Sequence, residues 1–432
     1  SVLIDSPIRI GNNAFRGTSV STFVSPRSAV ELGVGAFSHC HRLCVVDLSE
    51  AEQLQRIEAF TFCNCSALFR VVTNGRLMSV GHRAFYRCSS LRTMEFPKSL
   101  SGLVEIEAQA FDGCRNLRDF QFSSSLQSIG AAAFRGTALR SVELSGRALK
   151  TVHAQAFQDC KRLTTVTVDP FCGLQTLQRE AFRGCTSLNK VSLLGHDLKR
   201  VKRNCFTGCT SLKTVALPAT GANSIESIDS NAFSECQALS TLDVSATGAQ
   251  SLAPGCFRAC HNLEEIVLAE TTTAVGASAC SHSGLKSVTL PERVTKIHHD
   301  AFAHCESLAA VRLPASLRVL GERAFFKCFV LTELDLSRTK LVSVGASCFS
   351  HCTELRSVSF PATIQRIGTL AFYECKAIET LRFEAFEKLF VDSHAFGKCT
   401  GIRSFDVEPR LEGSPAQYTV HPSAFEGSSL GK

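Results

Sequence analysis

Residues 80–97 read VGHRAFYRCSSLRTMEFP and contain most of a unit that recurs along the whole chain. In this unit Phe85 follows a small residue, lies five residues after the aliphatic Val80 and precedes Cys88 by three residues. The Phe recurs at intervals of 22 to 29 residues, and Cys280 takes its place once. The phenylalanines of the series are Phe15, Phe37, Phe62, Phe85, Phe111, Phe134, Phe157, Phe182, Phe206, Phe233, Phe257, Phe302, Phe325, Phe349, Phe372, Phe396 and Phe425. Such a period is typical of a solenoid, in which each coil buries its apolar residues against its neighbours.

A short strand ends the quoted unit. Met94 and Phe96 alternate with the polar Thr93 and Glu95, and a period of two predicts a strand with one buried face. Because the chain must return to the same edge after each coil, successive strands are expected to be parallel. The segment around Phe85 is too short for a long helix, which predicts a turn of α or 3₁₀ helix. The predicted fold class is an α/β repeat solenoid of about 18 coils.

The repeat runs through the whole chain, so one solenoid domain is predicted over residues 1–432, either complete or a fragment of a longer chain. The formal net charge is +7, and acidic and basic residues alternate in nearly every unit, as on a solvated mixed surface. No apolar run reaches 18 residues, and the first ten residues lack a basic region followed by an apolar core. The sequence therefore predicts no transmembrane segment and shows no signal peptide.

The 21 cysteines follow the same register. Fourteen lie three residues after the Phe, three lie directly before it, and one replaces it, which leaves Cys44, Cys63 and Cys172 outside the pattern. A thiol that recurs once per coil at an inward corner acts as a small hydrophobic residue that can cap backbone groups. Parallel stacked side chains have poor geometry for disulfide bonds. We therefore interpret the cysteines as structural.

The alternative for the cysteines is a zinc site at His39, Cys40, His41 and Cys44, with Cys63 and Cys65 one coil later. Adjacent residues of a coil point in different directions, and Cys40 belongs to the repeat register, so the structural interpretation is favoured. Outside the register there is no set of nucleophile, base and orienting acid, and no phosphate-binding or His-Glu-x-x-His motif. The sequence predicts a protein that is not an enzyme and needs no cofactor.

Several repeats contain an aliphatic residue followed by Gly and, a few residues later, Ala followed by Phe. Examples are Ile129-Gly130 with Ala133-Phe134, Leu320-Gly321 with Ala324-Phe325, and Ile367-Gly368 with Ala371-Phe372. They resemble the BspA-like, or Treponema-type, leucine-rich repeat family, and the match covers essentially the whole chain. The resemblance implies a leucine-rich-repeat horseshoe with a parallel β-sheet on the concave face and short helical or 3₁₀ turns opposite. Similar proteins are commonly cell-surface or secreted adhesins, so it also implies protein binding, with no particular partner.

Exposed positions of the predicted strands are the candidate partner-binding residues. Those within the strands form a hydroxyl-rich, mildly acidic face and include Glu95, Gln121, Glu143, Asp243, Arg312, Asp335 and Arg382. One position before the strands, three consecutive repeats carry Arg92, Arg118 and Arg140. An acidic face repels phosphates, so no nucleic acid is expected, whereas the arginines predict a protein partner with an acidic stripe. Two inserts, residues 220–227 and 408–418, are further candidates because solenoid insertions often bind partners.

The leading hypothesis is a non-enzymatic protein-binding or scaffolding module that presents a long polar surface to an unidentified protein partner. One alternative is a secreted or cell-surface adhesin that binds host matrix or other cells. The other is a structural subunit of a large intracellular assembly, with end-to-end contact to another chain through uncapped apolar ends. The single N-glycosylation sequon, Asn64-Cys65-Ser66, has its middle residue in the core register. Because a surface protein of this size is expected to carry more sequons, the sequence favours a reducing intracellular compartment, with the cell surface or secretion as the alternative.

Overall fold

The computed structural model describes residues 7–97, 102–218, 225–407 and 417–430, and in these ranges the chain forms short strands joined by turns. It divides into two compact units, Ser1–Ile225 (unit 1) and Glu226–Lys432 (unit 2). Each unit is a parallel β-solenoid. Most coils contribute a front strand, which follows the Phe corner, and a back strand, which precedes it. A single domain over residues 1–432 remains a prediction.

Unit 1 contains front and back strands of two to four residues, which alternate except at the coil of Phe111, where no front strand is formed. Its described strands are β1 (Ile8–Ile10), β2 (Thr22–Val24), β3 (Ala29–Leu32), β4 (Val45–Asp47), β5 (Arg56–Ile57), β6 (Arg70–Val72), β7 (Ser79–Val80), β8 (Thr93–Glu95), β9 (Glu105–Ile106), β10 (Ser128–Ile129), β11 (Ser141–Leu144), β12 (Thr151–Val152), β13 (Thr165–Val168), β14 (Thr176–Leu177), β15 (Lys190–Leu193), β16 (Arg200–Val201) and β17 (Thr214–Ala216). The front strands pair in parallel in the orders β2-β4-β6-β8 and β11-β13-β15-β17. The back strands pair in parallel as β1-β3 and β5-β7-β9-β10-β12-β14-β16.

Unit 2 follows the same plan. Its described strands are β18 (Ser227–Ile228), β19 (Thr241–Asp243), β20 (Ser251–Leu252), β21 (Glu265–Val267), β22 (Ala274–Val275), β23 (Ser287–Thr289), β24 (Lys296–Ile297), β25 (Ala310–Arg312), β26 (Val319–Leu320), β27 (Glu333–Asp335), β28 (Ser343–Val344), β29 (Ser357–Phe360), β30 (Arg366–Ile367), β31 (Thr380–Phe383), β32 (Lys388–Val391), β33 (Ser404–Val407) and β34 (Gln417–Val420). The front strands pair in parallel as β19-β21, β23-β25 and β27-β29-β31-β33. The back strands from β20 to β34 pair in parallel as one series of even numbers.

Most front strands have the alternating burial that the sequence predicts, with β15 and β33 as exceptions. In β11, Val142 and Leu144 are buried while Ser141 and Glu143 are exposed. The parallel register places Val142 beside Val166 of β13, so buried residues stack from coil to coil. The exposed residues consequently form columns that run across neighbouring coils.

The predicted count of 18 coils is not confirmed. Sixteen front strands are described, eight in each unit. At the coil of Phe111 the strand is reduced to a single parallel bridge between Thr93 and Asp119. The sequence therefore contains more repeats than the described backbone has front strands.

The predicted α or 3₁₀ turns are not found, because the described residues contain no helix. Around Phe85, both Arg83 and Arg87 adopt a left-handed backbone, with φ of 52° and 56°. A left-handed residue interrupts a right-handed helix. The Phe85 N–H donates to the carbonyl of Ala110 in the next coil at 2.8 Å, whereas Cys88 N–H donates to Phe85 of its own coil at 3.1 Å. The corner thus divides its hydrogen bonds between its own coil and the next, which a helix would not do.

The repeated phenylalanines form the centre of each core. In unit 1 their rings stack in sequence, with centroids from 5.0 Å apart at Phe15 and Phe37 to 5.5 Å at Phe37 and Phe62. Unit 2 contains the same stack from Phe302 to Phe425. These offset contacts add to the burial of large apolar side chains. The recurring Phe is therefore required for packing between coils.

The recurring cysteines form a second ladder beside the rings. The Cys88 thiol donates to the carbonyl of Phe62, one coil earlier, at 3.0 Å, and Cys114 donates to Phe85 at the same distance. At least thirteen cysteines in the described ranges donate in this way to a carbonyl of the preceding coil, which is that of Cys280 in the case of Cys305, and they are Cys40, Cys65, Cys88, Cys114, Cys160, Cys185, Cys209, Cys260, Cys305, Cys328, Cys352, Cys375 and Cys399. None of the 21 cysteines is in a disulfide bond. The thiols cap backbone carbonyls, in agreement with the structural interpretation.

Candidate functional site

The three predicted arginines lie side by side at the entrance to the front strands of unit 1. Arg118 N–H donates to the Arg92 carbonyl, and Arg140 N–H donates to the Arg118 carbonyl, each at 3.3 Å. All three residues are exposed. We name Arg92, Arg118 and Arg140 the entry column. Since the backbone joins them directly, their side chains leave from consecutive coils.

The entry column differs in its ion pairing from two of the equivalent positions of unit 2. There, Lys286 pairs with Glu264 at 2.7 Å, and Arg403 lies 3.9 Å from Glu379. Within the described part of the chain, the arginines of the entry column form no ion pair. Exposed cations on neighbouring coils repel one another unless a counter-charge is supplied. The entry column is therefore a place where an anionic group would be stabilised.

Glu95, a predicted site residue in β8, is already paired. Arg70 of the adjacent β6 holds its carboxylate with two hydrogen bonds of 2.7 and 2.8 Å. These bonds lower the pKa of the Glu95 carboxyl. The pair arises because the register places these strands side by side. The sequence interpretation missed Arg70, which lies a full repeat away.

Gln121 and Glu143 are exposed, as predicted, but in different backbone settings. Glu143 lies within β11 between two buried residues. Gln121 lies outside any strand, because the coil of Phe111 makes only a bridge at this point. The predicted continuous column across these coils is therefore irregular at Gln121.

Two predicted acidic residues of unit 2 have a local role at strand ends. Asp243 accepts a hydrogen bond from Ser245 N–H at 2.8 Å, and Asp335 accepts one from Ser337 N–H at 2.9 Å. A side chain that caps its own turn in this way is a common structural feature. Both carboxylates are exposed and keep accepting capacity, but their position is set by the turn.

Arg312 and Arg382, the remaining predicted residues, are exposed at the expected positions of β25 and β31. The register places Arg312 beside Thr289, and Arg382 between Ser359 and Asp406. They belong to different front sheets. The structure therefore does not bring them together into one cluster.

The two predicted inserts fall largely outside the described residues, namely at 219–224 and 408–416. The alternative zinc site does not assemble at Cys40, whose buried thiol donates to the Phe15 carbonyl at 2.9 Å. The rings of His39 and His41 lie 6.0 Å apart, edge to face. No group of three or more His, Cys, Asp or Glu side chains in the described ranges is arranged to hold a metal ion.

A groove of about 800 Å³ on the corners of unit 1 was not predicted. Its lining includes His39, His41, Tyr86, Arg87 and Arg115. The guanidinium carbon of Arg87 lies 5.1 Å from the centre of the Tyr86 ring, within the range of a cation–π contact. The signal in the sequence is one arginine at each of two successive corners, Arg87 two residues after Phe85 and Arg115 four residues after Phe111, in repeats that also carry the entry column. Only the three-dimensional arrangement of the coils shows that they line one surface.

In the described part of the chain, no helix has the length and apolar character to cross a membrane.

Comparison with known proteins supports the repeat assignment. A family model described as a BspA-type leucine-rich repeat region matches residues 2–104, 101–195, 175–308 and 273–403. No curated protein sequence gives a significant match.

Three of the solved structures that match this chain are bacterial proteins. A leucine-rich repeat protein from Bacteroides ovatus is 22% identical, with 90% of this chain and 92% of that chain covered and a TM-score of 0.68. A leucine-rich cell surface protein from Faecalibacterium prausnitzii is 19% identical over 87% and 82% of the two chains, with a TM-score of 0.36. The pneumococcal vaccine antigen PcpA is 16% identical over 94% and 93%, with a TM-score of 0.39. Because the family model spans most of the sequence, this chain belongs to the BspA-type leucine-rich repeat family.

Proposed function

We propose that this chain is a non-enzymatic protein-binding or scaffolding module whose partner docks on the exposed front strands of unit 1. The observation that carries the proposal is the entry column of Arg92, Arg118 and Arg140, which is exposed and forms no ion pair in the described part of the chain. Surface arginines that serve only solubility are commonly interspersed with acids. Three in a row on adjacent coils favour a partner with an acidic stripe.

The packing of the repeat supports the same function. Between Phe37 and Phe396 the rings of the register are buried in the core, and most of its thiols donate to backbone carbonyls, so packing accounts for these side chains. What remains exposed is the polar face of the front strands, with a rigid spacing set by the sheet. Recognition of an extended surface by a rigid solenoid uses area and charge complementarity more than a single anchoring side chain.

Capture experiments test the proposal. The immobilised chain is incubated with an extract of its native source, and bound proteins are compared between the wild type and the R92Q/R118Q/R140Q variant. The matched control is K286Q/R356Q/R403Q, which changes three cations at equivalent positions of unit 2. Both variants are first checked for native circular dichroism and melting temperature.

The expected result is that a defined protein is retained by the wild type and by the control but lost from the entry-column variant. Retention of the same protein by all three chains would show that the entry column does not bind it. Equal loss from both variants would indicate a nonspecific effect of net charge. Binding that needs live cells or matrix proteins would favour the adhesin hypothesis.

A further inference from the structure

The three coils that carry the entry column have further arginines at their corners. Arg87 and Arg115 line the groove of unit 1, together with Arg135. These residues follow Phe85, Phe111 and Phe134, whose rings stack directly. We name the whole set the arginine patch, and its members are Arg87, Arg92, Arg115, Arg118, Arg135 and Arg140.

One member of the arginine patch is fixed by an internal acid. Arg135 donates to both oxygens of Asp112, at 3.1 and 2.6 Å, and the Asp112 side chain is only 7% exposed. The other five arginines are exposed and form no ion pair in the described ranges. Asp119 is the exposed acid that follows Arg118. The arginine patch therefore has a net positive charge, and Arg135 is held in a fixed position within it by Asp112.

The charge of unit 1 as a whole has the same sign. Residues 1–225 contain 27 Lys and Arg against 16 Asp and Glu, whereas residues 226–432 contain 19 against 23. The two units thus carry formal charges of opposite sign. A basic unit attracts acidic partners before contact and raises their association rate. The arginine patch lies within the unit that has this long-range attraction.

We infer that the arginine patch recognises an acidic α-helix of the partner protein. Successive coils at the patch are separated by about one ring stacking distance, 5.2 Å for Phe85–Phe111 and 5.1 Å for Phe111–Phe134. Side chains three or four residues apart on a helix are about 5–6 Å apart at Cβ. Carboxylates at positions i, i+4 and i+7 would therefore follow three consecutive coils. An extended strand repeats its side chains about every 6.8 Å and would lose this register.

Guanidinium chemistry suits this ligand. Arginine binds carboxylates with two parallel hydrogen bonds, a geometry that a lysine ammonium does not offer. The entry column offers three such groups in line, and Arg87 and Arg115 add two more at the corner. A helix that presents one acidic face could contact both rows. This inference rests on the proposed function and adds the chemical class and shape of the partner.

Two other occupants fit less well. A nucleic acid carries a negative charge at every nucleotide, so its backbone would also meet the exposed acids Asp119 and Glu143, whereas a helix with one acidic face can turn uncharged residues towards them. The Tyr86 ring, which a base could stack on, already has Arg83 and Arg87 over it at 5.3 and 5.1 Å. A second copy of this chain contains no helix in its described part to place on the arginine patch.

The test uses the full chain and two synthetic peptides. One is a stapled, fluorescein-labelled helix with glutamates at i, i+4, i+7 and i+11, and the other has the same composition with the glutamates spread around the helix. Fluorescence anisotropy measures binding in 50 and 300 mM NaCl. The variants are R87Q/R115Q, which affects the corner row, and R92Q/R118Q/R140Q. The control is R293Q/R318Q, which removes two exposed arginines of unit 2.

The one-face peptide should bind at least about tenfold more tightly than the scattered peptide, and each patch variant should weaken it by about tenfold or more. Binding should fall in high salt because screening weakens exposed charge pairs, and the control should match the wild type. Equal binding of the two peptides, or tighter binding of a dT20 oligonucleotide or a heparin fragment, would overturn the inference. Loss of a captured protein in R92Q/R118Q/R140Q without peptide binding would reject the helix while leaving the proposed function standing.

Discussion

At the scale of single residues, the buried thiols serve as caps and not as nucleophiles. Burial raises the pKa of Cys65 and of Cys209 to about 12 and that of Cys305 to about 11, compared with about 8.5 for a free cysteine. The thiolate is the reactive form, so these side chains are inert at neutral pH. Cys44 differs because it is partly exposed and lies outside the ladder.

Alkylation should therefore be selective. Iodoacetamide at pH 8 is expected to modify Cys44 rapidly in the native protein, whereas Cys65 and Cys209 should react only when their coils open or in denaturant. Peptide mass spectrometry over a time course measures the rates. Cys44→Ser should abolish the fast phase and leave the slow phase unchanged. A ladder cysteine that reacts as fast as Cys44 would contradict the capping role.

At the scale of elements, glycines at the ends of back strands allow coils to approach closely. Gly130 directly follows β10, and a Cβ placed there would lie 2.5 Å from Glu107 C and closer still to Ala108 N of the preceding coil. Its backbone is not left-handed. The glycine is needed for space between coils, and the sequence pattern of Gly after an aliphatic residue reflects that spacing.

Gly130→Ala should consequently destabilise unit 1. Because the clash is with backbone atoms, which cannot rotate away, the expected loss is about 1–3 kcal/mol of the free energy of unfolding. Gly11→Ala is the matched control, since Gly11 has the same place in its repeat and a Cβ added to it would meet no atom within 4 Å. Urea unfolding followed by circular dichroism measures both. Equal effects at the two positions would argue against the contact between coils.

At the scale of the whole molecule, the many buried thiols make stability depend on pH. Burial raises the folded pKa of most of these thiols above the unfolded value, as at Cys65, Cys209 and Cys305, so the folded state keeps protons that the unfolded state loses. This contribution is complete below about pH 8.5 and decreases as pH rises towards about 12. Burial raises the pKa of sixteen cysteines in the described ranges, so the combined effect is expected to be large.

The melting temperature should therefore be nearly constant from pH 7 to 8 and fall steeply from pH 9 to 10.5, measured by calorimetry in the presence of a reductant. Each protected thiol contributes up to about 1.4 kcal/mol per pH unit. Cys209→Ser removes one thiol that titrates and should therefore make the slope of stability against pH shallower by about one proton. Serine is expected to fit this position because Thr137 and Ser283 place hydroxyls at the same position of other coils. A melting temperature that does not change up to pH 10.5 would show that the thiols are not protected.

The candidate site was only partly predictable. The entry column could be identified because Arg92, Arg118 and Arg140 have the same place in successive repeats. The pairing of Glu95 with Arg70 could not, because side chains in different repeats meet only through the register of the strands. Arg87 and Arg115 were missed for a related reason, since they lie on the corner, where the backbone direction was predicted as helical.

The sequence by itself determined the period, the family, the parallel strands and the identity of the core residues. Each coil of a solenoid packs only against its neighbours, so every coil requires the same types of residue at the same positions. The tertiary structure alone decided the conformation of the corners. There, residues such as Arg83 and Arg87 have a left-handed backbone, and alternate N–H groups donate to carbonyls of the next coil. A pattern within one repeat does not predict hydrogen bonds between two coils. It also decided which charges are paired within the protein and which remain exposed, because ion pairs depend on distances between coils and not on order along the chain.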